Sequence, residues 1–140
     1  MLFRSPPDGH GLTVLLFLAG ERSPGWRGDA RAALAGASLD TSAVGVLRAF
    51  MEAVAYRLAL VYERLAPLAS PGHTIVASGG ALAHSPVWAT TMADVLGVPL
   101  ALSGEPEASS RGAALLALEA LGAALPPPLQ IGRASCRERV

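Results

Sequence analysis

Gly79 and Gly80 sit in the stretch IVASGGALAHSPVW, residues 75–88, between a strand-like run (Thr74–Ala77) and a Ser-Pro helix start. A glycine pair at the end of a strand lets the backbone approach a ligand closely and adopt positive φ. With a helix following, it can present amides to an anion or cradle a base and ribose. An ordinary tight strand-to-helix turn uses the same residues, and the local sequence leaves both readings open. The stretch is neither GxGxxG nor a Walker loop, so neither the dinucleotide nor the P-loop reading applies. His84 lies just before the next helix, where it touches a nucleotide from the rim or stays a solvated loop histidine. Its spacing fits no metal-ligand set.

The other chemistry-bearing residues form no constellation. Glu21 and Arg22 read as an ion pair or a catalytic pair, with no carboxylate or histidine placed to complete general acid–base chemistry. His10 and His73 stand alone in loops. Trp26 and Trp88 read as packing residues. Gly112-Ala113-Ala114 is a small-residue patch that would let its helix approach a neighbour closely, and Glu107 and Ser109 before it read as caps. No nucleophile elbow or Ser/His/Asp order appears.

The elements that must position these residues follow from periodicity and turn chemistry. Thr13–Leu18 reads as a buried strand, and Gly20–Arg31 as a loop rich in Gly and Pro. The longest helix starts at Asp40 or Thr41 as N-cap. It carries one apolar face at helical spacing: Val44, Leu47, Met51, Val54, Leu58, Val61 and Leu65. Phe50, Ala53 and Leu60 widen that face, while Arg48, Glu52, Arg57 and Glu63 mark its polar remainder; Pro67 and Pro71 end it. Thr74–Ala77 is a short strand. Ser85-Pro86 opens a helix as N-cap and first helical residue, and Gly97 closes it. Val98–Leu102 is a strand, and Ser109–Leu121 a helix. Alternation of this kind predicts a parallel pairing, with ligands beyond the carboxyl ends of the strands. Ser78–Gly80 lies at such an end.

Composition bounds the rest. The chain has 140 residues, 51% of them hydrophobic, which is one ordinary domain. Every basic residue is arginine and the formal charge is zero, which gives no support to nucleic-acid or anionic-membrane binding. Residues 131–140, IGRASCRERV, share no pattern with what precedes them and resemble translated sequencing adapter. They are set aside as a non-native tail, leaving residues 1–130 as the domain. With the tail go the only cysteine, Cys136, and three of eleven arginines against one of eleven acids, leaving a charge of −2. Leu12–Gly20 is too short to span a bilayer. Asp8 and His10 occupy what would be a basic leader, so a signal peptide is not expected and the default location is cytoplasmic.

Four stretches in this order, GLTVLLFLAGERSPGW, GASLDTSAVGVLRAFMEAVAYRL, ASGGALAHSPVWATTMADVLGVPL and EPEASSRGAALLAL, resemble the carboxy-terminal part of FGGY carbohydrate kinases. The gluconokinase and xylulokinase branch is the nearest in pattern, and the likeness covers nearly all of Asp8–Gly122. Leu16, Ala37 and Gly45 depart from the residues usual in the family. The resemblance implies an α/β fold: a partial actin/hexokinase-like, ribonuclease-H-like ATPase domain with helices on a short, mainly parallel sheet. It also implies transfer of the γ-phosphoryl of ATP to a sugar or sugar-acid hydroxyl with Mg²⁺, without nucleic-acid or membrane partners, and it is compatible with a homodimer. In that picture Gly79, Gly80 and Ala81 lie against the nucleotide, His84 sits at the rim, and the EASSRGAA helix packs behind. The family's catalytic aspartate lies upstream of these residues, so the chain alone is expected to be inactive. A free-standing α/β interaction module without nucleotide is the alternative.

Overall fold

The computed structural model describes residues 7–105, 107–127 and 131–134, the last four as backbone. Cys136 and the rest of the tail lie outside the described residues. The chain divides into two compact units: residues 1–72 with 94–97, and residues 73–93 with 98–140.

In the first unit, β1 (Thr13–Leu15) pairs antiparallel with β2 (Ala33–Ala35), with Val14 opposite Leu34. The expected strand through Leu18 stops early because Leu18 N donates to Leu16 O at 2.7 Å, a tight turn that leaves the ladder. β2 was not expected. Ala-Leu-Ala carries little strand signal, and its pairing comes from β1, whose backbone groups need partners.

Helix α1 spans Ala43–Leu65. Its N-cap is Ser42, one residue beyond the expected Thr41, and the Ser42 hydroxyl accepts from Gly45 N at 3.0 Å. A 3-10 turn at Ala66–Leu68, with Pro67 in its first turn, ends the helix. Its buried residues are Ala49, Glu52, Ala53 and Ala55. At 3.6 residues per turn, Ala49, Glu52 and Ala53 lie opposite the large apolar stripe read from the sequence. Leu47, Leu58 and Leu65 of that stripe are 51%, 45% and 56% exposed. The small side chains permit the closer approach, so the small-residue face packs and the leucines are left outside. Glu52 is the clear correction: read as a polar surface residue, it is 2% exposed.

In the second unit, β3 (Ile75–Ala77) runs parallel to β4 (Leu100–Ser103), with Val76 opposite Ala101. This is the expected parallel pairing. β3 and β4 are joined through α2 (Gly80–Ala83), a single unforeseen turn, and α3 (Pro86–Leu96). α3 begins as expected, with Trp88 N donating to Ser85 Oγ at 3.2 Å, and buries Ala89, Met92 and Ala93. α4 spans Ala108–Ala120 and buries no residue. Neither Glu107 nor Ser109 caps it through a side chain, because the Glu107 N-cap makes no such bond. Instead Arg111 ties its start to Pro127 O at 3.0 Å. The tail set aside by the sequence reading supplies β5 (Ile131–Ala134), antiparallel to β4. An open strand edge accepts any extended backbone of suitable reach. Among the described residues no helix is long and apolar enough to cross a membrane.

Candidate functional site

The double glycine lies directly beyond β3. Gly79 has φ +105° and ψ 149°, a conformation that L side chains rarely adopt, and it caps α2. A Cβ built on Gly79 would meet no atom within 4 Å, so the outer side of the turn is open. Ser78, Gly79, Gly80 and Ala81 are all exposed. The turn therefore needs a glycine for its backbone and keeps a bare, accessible surface.

His84 closes the same turn. Its backbone N–H donates to Gly80 O at 3.0 Å, and its ring Cδ2 lies 3.7 Å from where a Gly80 Cβ would be. The ring is exposed. Gly79, Gly80, Ala81 and His84 thus form one continuous exposed surface of backbone and imidazole. The small patch on α4 behaves differently from expectation. A Cβ at Gly112 would meet nothing within 4 Å, so no neighbour exploits its missing side chain.

A second cluster lies in the first unit and was missed by sequence reasoning. His10 Nδ1 accepts from Leu12 N at 3.0 Å, so Nε2 carries the proton that it donates to Glu52 Oε2 at 3.1 Å. His10 is therefore not alone. Glu52 Oε1 accepts from Arg48 Nε at 2.7 Å, one helical turn earlier, and the Asp8 amide donates to Oε2 at 3.1 Å. Burial pushes the Glu52 carboxyl up, but the bonds from Arg48, His10 and the Asp8 amide outweigh it and hold the group below its ordinary value. Burial, and then the charges of Glu52 and Asp8, push the Tyr56 phenol up. The only sequence signal for this node was the Arg48–Glu52 spacing of four, which also describes an ordinary surface pair.

Glu21 also finds a partner. Arg57 of α1 donates to its carboxylate and to Ser23 O at 3.0 Å, with the guanidinium 5.2 Å from the Phe17 ring centroid. Glu21 is thus a loop anchor and not a free catalytic group. Trp26, read as a packing residue, is 71% exposed at φ +55°, carried outward by the turn that Arg57 pins.

Asp8, His10 and Glu52 place candidate ligand atoms within 4.8 Å of one another. They do not fit Mg²⁺, which demands octahedral oxygen ligands. Both His10 nitrogens are engaged, and the Glu52 oxygens are taken by Arg48 and His10. The glycine turn offers backbone and an imidazole, with no carboxylate to hold a hard cation.

Comparison with known proteins gives concordant results. The C-terminal domain of the FGGY family of carbohydrate kinases matches residues 4–121. The chain is 32% identical over 119 residues to a gluconokinase from Bacillus subtilis, covering 85% of this chain and 23% of that protein. It is 31% identical over 113 residues to glycerol kinase 1 from Thermotoga maritima, covering 81% and 23%. Among solved structures it resembles xylulose kinase from Rhodospirillum rubrum, with a TM-score of 0.76, 28% identity, and coverage of 98% and 28%. Xylulose kinase from Lactobacillus acidophilus shares the fold with a TM-score of 0.78. The architecture is that of a partial actin/hexokinase-like α/β domain. The chain spans less than a quarter of the length of these two curated relatives.

Proposed function

The chain belongs to the FGGY family of carbohydrate kinases, as its C-terminal domain, and from that premise we propose that it is the adenosine-binding part of an ATP-dependent sugar kinase. The observation that carries the reading is the bare turn at Gly79–Gly80, at the carboxyl end of a parallel strand, inside the matched residues. Ligands of open α/β sheets lie at such ends. Gly79 and Gly80 let backbone reach the base and ribose, Ala81 keeps that surface low, and His84 borders it. The complete enzyme transfers the γ-phosphoryl of ATP to a hydroxyl of a sugar or sugar acid. Phosphoryl transfer rests on positioning and on charge neutralisation at the phosphates. Mg²⁺ supplies that neutralisation when bound, and its ligands belong to parts of the enzyme other than this turn. The 140 residues alone bind nucleotide without transferring phosphate, in the cytoplasm.

Isothermal titration calorimetry with ATP tests the binding. Saturable heat is expected, lost in Gly79→Val, whose side chain is strained at positive φ. A flat titration on folded chain contradicts the reading. Phosphorylation of gluconate or xylulose by these residues alone contradicts the expected inactivity. The absence of any ATP-induced rise in melting temperature favours the nucleotide-free interaction module instead.

A further inference from the structure

We propose that the outer edge of β4 is a strand-docking surface that takes an extended segment antiparallel through backbone alone, with Ile131–Ala134 as its occupant and Arg111 as its latch. The buried part of this small sheet is β4. Leu100 and Ala101 are 3% and 5% exposed, whereas no residue of β3 is buried. Backbone N–H and C=O groups beside buried side chains need partners, so an unpaired edge on this strand is costly. β3 covers one edge, from Leu100 to Leu102. β5 covers the other and extends the pairing to Ser103.

The segment is recognised by its backbone. Residues 131–140 share no pattern with the domain that precedes them, and two of the four pairing residues, Gly132 and Ala134, have little or no side chain. Strand addition to a sheet edge draws its affinity from main-chain hydrogen bonds and leaves side chains to set specificity. The edge is therefore the determinant, and the sequence of the segment is interchangeable.

Arg111, early in α4, joins the two ends of the pairing. Its Nη2 donates to Pro127 O at 3.0 Å, and its Nε lies 3.9 Å from Glu105 Oε2. Pro127 precedes β5. Glu105 follows β4, and its amide donates to Ser103 Oγ at 3.2 Å. Ser103 in turn stands opposite Ile131, the first residue of β5. One guanidinium thus gathers the end of β4 and the approach to β5 where the ladder begins. Holding Pro127 there shortens the loop that pairing must close. All these groups belong to the second unit, and the assignment is independent of nucleotide binding.

Native-state hydrogen exchange of the labelled full chain, read by amide NMR, tests it. Successive β4 residues direct their N–H groups to opposite edges, so alternate amides of Leu100–Ser103 report on β5 and the others on β3. Of two neighbouring residues in β5, one bonds to β4, so Gly132→Pro combined with Arg133→Pro removes a ladder bond. The β5-facing amides should then exchange about tenfold faster or more, with the β3-facing amides unchanged. Arg111→Ala should speed the same β5-facing amides by about threefold or more. Ile131→Thr combined with Arg133→Thr changes both long side chains and keeps a strand-forming backbone, so exchange should stay within about twofold of wild type. β5-facing amides unmoved by the paired prolines overturn the docking surface, and equal acceleration at both edges overturns it as a separable site. Unchanged exchange in Arg111→Ala overturns the latch. A tenfold loss of protection in the threonine variant overturns recognition by backbone.

Discussion

The node around Glu52 and the turn at Gly79–Gly80 use their polar groups in opposite ways. Around Glu52, an imidazole and a guanidinium both bond to one buried carboxylate. At the turn, an imidazole and four residues of backbone stand exposed, with open space beside Gly79. The node has the residue types usually sought in an active site, yet its groups are committed to holding the segment Asp8–Leu12 on α1. The turn has almost no reactive chemistry, yet it offers a bare surface at a strand end. Residue type therefore says less about which groups are free to meet a ligand than whether they are already partnered.

The largest expected effect comes from breaking the node. Glu52→Ala removes the buried carboxylate that His10, Arg48 and the Asp8 amide all bond to, and it should cost about 3–5 kcal/mol in chemical denaturation. A loss near zero would mean that the node contributes nothing to the fold. Acid should act at the same place. The Glu52 carboxyl is held below its ordinary value, so its contribution is complete above about pH 4.5 and is lost as pH falls further through the lowered folded value. Denaturation midpoints of wild type and Glu52→Gln measured from pH 7 to 3 should converge at the acid end.

The turn should respond the other way. Gly79→Val forces a branched side chain into positive φ and should cost about 1–2 kcal/mol of stability while removing nucleotide binding. His84→Ala is the smallest perturbation. Its ring is exposed, so stability should change by less than about 0.5 kcal/mol, while ATP affinity falls severalfold by calorimetry. A His84 variant that loses stability and keeps ATP affinity would erase the distinction between the two regions.

Much of the frame was legible in the chain. Ser85-Pro86 announced α3, Gly97 closed it, and the alternation of elements foretold the parallel pairing of β3 with β4. The glycine pair was legible as a turn, and the order of four stretches pointed to the family whose C-terminal domain matches residues 4–121. What stayed hidden depended on contacts distant in sequence. Glu52 and His10 are separated by 42 positions, so no local pattern joins them, and each looked ordinary by itself. The packed face of α1 was hidden for a different reason. Periodicity weights large apolar residues and gathered Ala53 only as an edge of its stripe, but close packing here also takes Ala49 and Ala55, while Leu47, Leu58 and Leu65 stay exposed. β2 escaped notice because an alanine-rich triplet has no strand signature without its partner.

The central claim is that this chain seats adenosine on the bare turn and not on its charged node. Amide NMR of the labelled chain titrated with ATP tests it most directly. The account predicts saturable shifts at Gly79, Gly80, Ala81 and His84, with Asp8–Leu12 unmoved. A folded chain whose Gly79–His84 signals stay still, or whose shifts centre on Asp8, His10 and Glu52, would contradict it.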